Sequence, residues 1–193
     1  YISIMEQNRD ALRKTTDVAN DKEIAEAEKE KTVYNGYFED ADVQDRPLSD
    51  WAGEWQSVYP FLQDGTLDQV FDYKAKMDKK MTADEYKEYY TTGYQTDVAQ
   101  IKITDNTMTF IFDDGTKKEA NYVYTGKEIL NYSAGNRGVR FLFESTDEDA
   151  AFKYIQFSDH MIAPSASHHF HIYFGNDSHE ALLEEMDHWP TYY

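Results

Sequence analysis

The sequence predicts a mainly β domain with a few short helices, an α+β barrel or sandwich preceded by a helical connector. Three observations carry this. From Val98 onward, apolar and polar residues alternate in short runs spaced about ten residues apart. Between Leu67 and Tyr94 the spacing is helical instead. The first stretch of chain, up to Thr32, has too little apolar surface to hold a core.

Taken in order, residues 1–32 show a weak apolar stripe at Ile2, Met5, Ala11 and Leu12, then a run of charge and alanine from Asp21 to Lys31. Such a run is a solvated helix with i,i+4 pairs or a linker. It reads as a connector, or the tail of a preceding domain, and residues 33–193 read as the domain proper. The composition changes at Val33-Tyr34-Asn35-Gly36-Tyr37-Phe38, where aromatics become dense. Pro47 to Trp55 forms a turn into the first packed element. Leu67 to Lys80 reads as a helix with Leu67, Val70, Phe71 and Lys74 on one face. Thr82-Ala83-Asp84-Glu85 is a capping box that opens a second helix through Tyr86, Tyr89 and Tyr90. Strands follow around Ile101 and Ile103, then Met108, Phe110 and Phe112, with a hairpin turn at Asp113-Asp114-Gly115. Tyr122 and Tyr124 make the next, closed by a turn at Gly126-Lys127. Ile129 to Tyr132, Val139 to Phe143, Phe152 to Phe157 and His168 to Phe174 complete a set of roughly seven. Asp177-Ser178-His179-Glu180 caps a last short helix through Leu182, Leu183 and Met186, and Trp189-Pro190 ends it.

The charge balance narrows the partners. Against 19 basic residues stand 37 acidic ones, a net charge of −18, which repels nucleic acid and anionic lipid and suits cations. The plainer reading of that acidity is solubility. At 40% hydrophobic and 16% aromatic, the chain has the material for a real core. Cysteine is absent, which removes disulfides, thiolate nucleophiles, iron–sulfur clusters and cysteine-type zinc sites. A metal site must then use His, Asp and Glu. No apolar run reaches the roughly 18–20 residues of a membrane helix, so direct insertion of this segment is not expected. The chain begins at Tyr1 and reads as a processed or excised piece, so the missing leader says nothing about export.

All six histidines lie at or beyond position 160. His169-Phe170-His171 sits in a strand-like run, where residues i and i+2 share a face with Cα atoms about 6–7 Å apart. His160 precedes them, and Met161 to Ser167 can turn the chain back so that His160 joins that face. Three neutral imidazoles at about 2.0–2.1 Å suit Zn²⁺, with a fourth position open to water, a carboxylate or another histidine. Such a ligand set also admits Cd²⁺ or Ni²⁺. Protonated imidazole does not ligate, so affinity should fall below about pH 6. The bland alternative is a set of unrelated polar residues on a barrel face. His168 points to the opposite face, His179 and His188 take surface positions by the last helix, and Tyr173 shares the face of His171 as either a supporting neighbour or barrel filling. No HExxH or GxSxG motif is present, and Gly135-Asn136-Arg137-Gly138 lacks phosphate-loop spacing, so no catalytic residue is assigned and the chain is not expected to be an enzyme. A zinc-activated water is the remaining catalytic reading, and a pocket for a small apolar ligand the remaining binding one.

Phe157-Ser158-Asp159-His160, the spacer with Ala163-Pro164, His169-Phe170-His171 and Gly175-Asn176-Asp177-Ser178 resemble the metal-site region of the ZinT (YodA) family. Leu48-Ser49-Asp50-Trp51, Gly53-Glu54-Trp55-Gln56-Ser57-Val58-Tyr59-Pro60, Gly138-Val139-Arg140-Phe141 and the ending Trp189-Pro190-Thr191-Tyr192-Tyr193 resemble it too. The opening Tyr1-Ile2-Ser3-Ile4-Met5-Glu6 with Leu12 looks like the last helix of a ZnuA-type zinc-binding domain. That order resembles the two-domain zinc-binding lipoproteins of ABC importers. The resemblance implies a calycin (lipocalin-like) β-barrel with helices at one end, and zinc held by His160, His169 and His171. It implies extracellular service at the cell surface, with lipid anchoring through a preceding part. Zinc would pass to a ZnuA-like domain of the same protein and its ABC permease. The alternative is a calycin-type binder of a small apolar ligand. Family members often carry a His-rich segment that this chain lacks before residue 160, and they usually continue past the Trp-Pro-Thr-Tyr-Tyr motif.

Overall fold

The computed structural model describes residues 31–193. Of the expected connector at 1–32, residues 1–30 lie outside the described residues. Eight antiparallel strands pair in chain order: β1 (Gly53–Gln56), β2 (Val98–Ile103), β3 (Thr107–Phe112), β4 (Lys117–Asn131), β5 (Arg137–Ser145), β6 (Tyr154–Ser158), β7 (Phe170–Gly175) and β8 (Thr191–Tyr192). The last strand returns to the first. Ser57 bridges Tyr192, and the backbones of Gln56 and Tyr193 exchange hydrogen bonds of 2.9 and 3.0 Å. The sheet is thereby a nearly closed barrel, whose unpaired edges are largely removed.

Two-residue alternation sends one set of side chains inward. Phe110, Phe141, Phe143, Phe157 and Phe170 are all buried there, and Trp51, from the helical turn before β1, joins them and stacks on Phe157 with centroids 4.5 Å apart. Each such ring contributes about 1.5–3 kcal/mol by leaving water. These rings fill the barrel interior.

Two expectations change. Gly126-Lys127 is not a turn: β4 runs through it as one 15-residue strand, with a register shift between Tyr124 and Gly126. Gly126 has φ +146, so a glycine bulge kinks the strand around the barrel where the sequence alone suggests chain reversal. Two strands were not expected: β1, whose first residues were read as part of a turn, and the short Thr191–Tyr192, which exists only through its pairing with β7 and its bridge to Ser57.

Three helices fill the connection between β1 and β2: α1 (Tyr59–Gln63), α2 (Asp68–Asp78) and α3 (Ala83–Tyr94), and α4 (His179–Leu183) follows β7. Thr82 caps α3 as expected. Its hydroxyl accepts from the Glu85 amide at 3.1 Å, and the Glu85 carboxylate accepts from the Thr82 amide at 3.2 Å. α2 and α3 bury Phe71, Tyr86, Tyr90 and Tyr94 in a second apolar cluster that also contains Tyr173 and Trp189. That cluster lies on the outside of the sheet. Gly93 permits its closest approach, because a Cβ there would meet the Trp189 ring at 2.5 Å. Among the described residues no helix is long and apolar enough to cross a membrane.

Candidate metal centre

The two sides of β7 carry different work. Phe170 and Ile172 belong to the barrel interior, whereas Tyr173 belongs to the outer cluster. His171 alternates with Phe170 and so lies on the outer side, and His169 enters the strand in the same phase. His171 is opposite Ser158 of β6 and Thr191 of β8. His160 follows two residues beyond Ser158, where the chain leaves β6. It is one of two described non-glycine residues with positive φ, at 66°. That left-handed turn aims its ring back across the strand end. The His160 and His171 rings stand edge to face with centroids 5.9 Å apart. Two imidazoles bound at about 2.1 Å to one tetrahedral ion have centroids roughly 5 Å apart, so a small inward shift joins them. Among the described residues no trio of His, Asp or Glu is already drawn round a common point.

The ring nitrogens are distinguished by their neighbours. Thr191 Oγ donates to the Trp189 carbonyl at 2.9 Å and stands 2.6 Å from His171 Nδ1. With its proton used on Trp189, the hydroxyl accepts from Nδ1–H, which leaves the lone pair on His171 Nε2. The His160 ring hydrogen-bonds the Tyr34 backbone in the sense that favours its protonated form, so the Tyr34 carbonyl is the acceptor. One His160 nitrogen is thereby also free to ligate. His169 is different: both its ring nitrogens are buried and, among the described residues, neither has a hydrogen-bond partner. An unpaired buried polar group costs about 1–3 kcal/mol, and few neutral explanations fit two on one ring. A ligand to a cation fits, and imidazole nitrogen is a donor that zinc accepts.

Electrostatics keep all three rings neutral. Burial pushes His169 down to about 4, helped by the neighbouring His160. Burial drives His171 well below the ordinary histidine value. Burial also lowers His160 to about 4, against the opposing pull of the Asp159 carboxylate. Because His160 has an exposed side, water screens part of that shift. Neutral imidazole is the form that binds a metal.

The loop between His160 and His169 is clamped by Arg46. This fully buried guanidinium binds both Asp159 oxygens, at 2.6 and 3.0 Å, and Asp50 at 2.8 Å. It also donates to the Ser165 carbonyl at 3.0 Å. Asp50 in turn accepts from the Ser165 amide at 2.9 Å, and Ser167 Oγ donates to the His169 carbonyl at 2.7 Å. The loop carrying two of the three histidines is thus fixed from its inner side.

The other histidines stand apart. His168 is exposed. His179 is half-buried and contacts Gln156 at 3.1 Å, and His188 stands 2.5 Å from the Gln95 carbonyl. Tyr173 belongs to the outer cluster rather than to the barrel filling, and its ring lies under the Arg140 guanidinium, 3.7 Å away. Sequence reasoning missed Tyr34, Arg46 and Thr191. Thr191 had a signal in the Trp-Pro-Thr-Tyr-Tyr ending, but Arg46 and Tyr34 had none that spacing could reveal.

The family model described as ZinT (YodA) periplasmic lipocalin-like zinc-recruitment matches residues 29–193. The zinc-binding lipoprotein AdcA of Streptococcus pneumoniae R6 is 65% identical over all of this chain and 39% of its own length. The probable metal-binding protein YrpE of Bacillus subtilis 168 is 54% identical over 86% of this chain and 66% of its own length. The chain therefore spans about 39% of the length of the first of these curated relatives. Among solved structures, the Zn(II)-bound ZinT-like domain of S. pneumoniae AdcA superposes with a TM-score of 0.82 at 68% identity, covering 86% of this chain and 92% of that one. Zn(II)-bound AdcA itself superposes with a TM-score of 0.83 at 69% identity, over 84% of this chain and 35% of that one. With a nearly closed eight-stranded barrel and a family match over most of its length, this chain belongs to the ZinT (YodA) family of lipocalin-like zinc-recruitment proteins.

Proposed function

We propose that this chain is an extracytoplasmic zinc-capture module that binds Zn²⁺ through His160, His169 and His171 and delivers it toward an ABC import system. The single observation that carries the reading is His169, whose two buried ring nitrogens have no hydrogen-bond partner among the described residues, beside two histidines that each keep a ring nitrogen for a ligand. The names of the relatives support zinc as the cargo, since they are described as zinc-binding or metal-binding. The fourth position is left for water or a donor from the recipient. That suits capture followed by release, because an open site exchanges ligands more readily than a closed structural one. The recipient is a ZnuA-like domain of the same full-length protein, with residues 1–32 as the connector, and the anchored whole works at the cell surface. The module acts without catalysis. The aromatic filling of the barrel weighs against a small apolar ligand.

Isothermal titration with zinc at pH 7 tests this. His169→Ala should lower affinity by orders of magnitude while the metal-free domain still melts cooperatively. Wild-type affinity in that variant would sink the ligand assignment.

A further inference from the structure

A turn from outside the barrel lies against the metal centre. The Tyr34 ring stacks on the His160 ring, with centroids 4.6 Å apart and planes 28° apart. The Tyr34 carbonyl accepts from the same imidazole. Yet Tyr34 is 45% exposed, so core packing does not account for its place. The turn is closed on itself by the Asn35, Gly36 and Tyr37 amides, which donate to the Thr32 and Val33 carbonyls at 3.0–3.2 Å. It is tied to β5 at one point: the Arg137 amide donates to the Gly36 carbonyl at 2.8 Å. Beyond it, the Arg137 side chain binds the Phe38 carbonyl and Asp40, and lies 4.8 Å above the Phe38 ring. The tie requires glycine. Gly36 has φ +96, and a Cβ there would collide with the Arg137 backbone.

We propose that the Thr32–Tyr37 turn is a retaining strap on the zinc site, in which Tyr34 holds the His160 ring by its aromatic face and its carbonyl and slows escape of the bound ion. The proposal rests on His160 being a ligand. Of the three histidines His160 is the exposed one, on a left-handed residue beyond the end of β6, so it is the arm through which an ion leaves. A carbonyl holding the outer N–H of a ligating imidazole fixes its orientation, and losing such a partner typically costs about 10–100-fold in metal affinity. Tyr34 is a positioning residue. It touches the ligand through its ring.

The test is zinc release from the loaded protein into excess EDTA by stopped flow, together with equilibrium affinity at pH 7. Tyr34→Ala keeps the carbonyl and loses the stack. It should release zinc about three- to tenfold faster, the factor a lost aromatic pair implies, with the metal-free melting temperature near wild type. Tyr34→Phe should restore wild-type release. Gly36→Ala, which displaces the whole turn without approaching the site, should weaken affinity about 10–100-fold. A merely structural turn would alter melting and leave release alone. Wild-type release in both Tyr34→Ala and Gly36→Ala overturns the strap. Wild-type affinity in His169→Ala overturns the ligand assignment beneath it, and the two failures are told apart by which variants stay unchanged.

Discussion

His160 is held in a conformation that most side chains avoid. Its φ of 66° costs little for Asn or Asp and about 1–2 kcal/mol for residues whose Cβ crowds the next carbonyl. His160→Asn should therefore abolish tight zinc binding and leave the metal-free urea midpoint near wild type. His160→Val should lose zinc and about 1–2 kcal/mol of stability as well. Equal midpoints for the two would mean that the left-handed turn carries no strain. The buried rings also set a pH window. Folded His169 titrates at about 4 against 6.5 when free. As pH falls from 6.5 toward 4, the unfolded chain takes up a proton that the folded site refuses, so the metal-free domain loses stability through that window and no further below it. In His169→Leu this part of the acid loss should disappear from urea melts. At the proposed site protons should compete with zinc only as pH approaches about 4, so affinity measured by titration should persist below the pH 6 limit that free imidazoles suggest. The three histidines of the proposed site could be nominated from the sequence, His169 and His171 by strand spacing and His160 by the turn between them. Their tautomers were not, because the partners at Thr191 and Tyr34 are set by distant chain.

Helix α3 reaches the candidate metal centre through one tryptophan. Gly93 lets the Trp189 ring lie against the helix, the Trp189 amide donates to the Gly93 carbonyl at 2.8 Å, and the same ring stands 5.6 Å from His171. Gly93→Ala should displace that ring. We expect a destabilisation of about 1–3 kcal/mol, the usual toll of overpacking, together with weaker zinc binding through a loosened His171. Unchanged affinity beside a lowered melting temperature would confine Gly93 to packing. The helices themselves could be read in advance. The Thr82 box and the Ser178 cap are local signals, and both caps are present in the structure. Gly126 misled because a glycine in a strand looks the same whether the chain reverses or bulges, and the choice was made by its pairing with β5.

The whole molecule carries a net charge of −18, and the ion it is proposed to take is a dication. Attraction of that kind acts on the approach rather than on the bound state. Zinc association should slow as ionic strength rises from about 0.01 to 0.1 M, where the Debye length shrinks from about 30 to 10 Å, while dissociation stays constant. Stopped-flow rates at the two salts check this. Removing zinc with EDTA should lower the melting temperature without unfolding the domain, because the aromatic barrel core does not depend on the metal. Loss of cooperative melting in the apo form would contradict that independence.

Composition and short-range spacing decided which atoms are available: no thiolates, histidines confined to the last part of the chain, alternation for strands and caps for helices. These are legible because they repeat over two to four residues. Convergence is not. Arg46 reaches Asp159 across 113 positions of sequence, and Thr191 reaches back to His171 across 20. The barrel had to close before β8 could present Thr191 or the Tyr34 turn could lie on His160. Three histidines in a row of letters become a candidate zinc site only when that closure gives two of the rings a neighbour that spends one nitrogen and leaves His169 without a hydrogen-bond partner among the described residues.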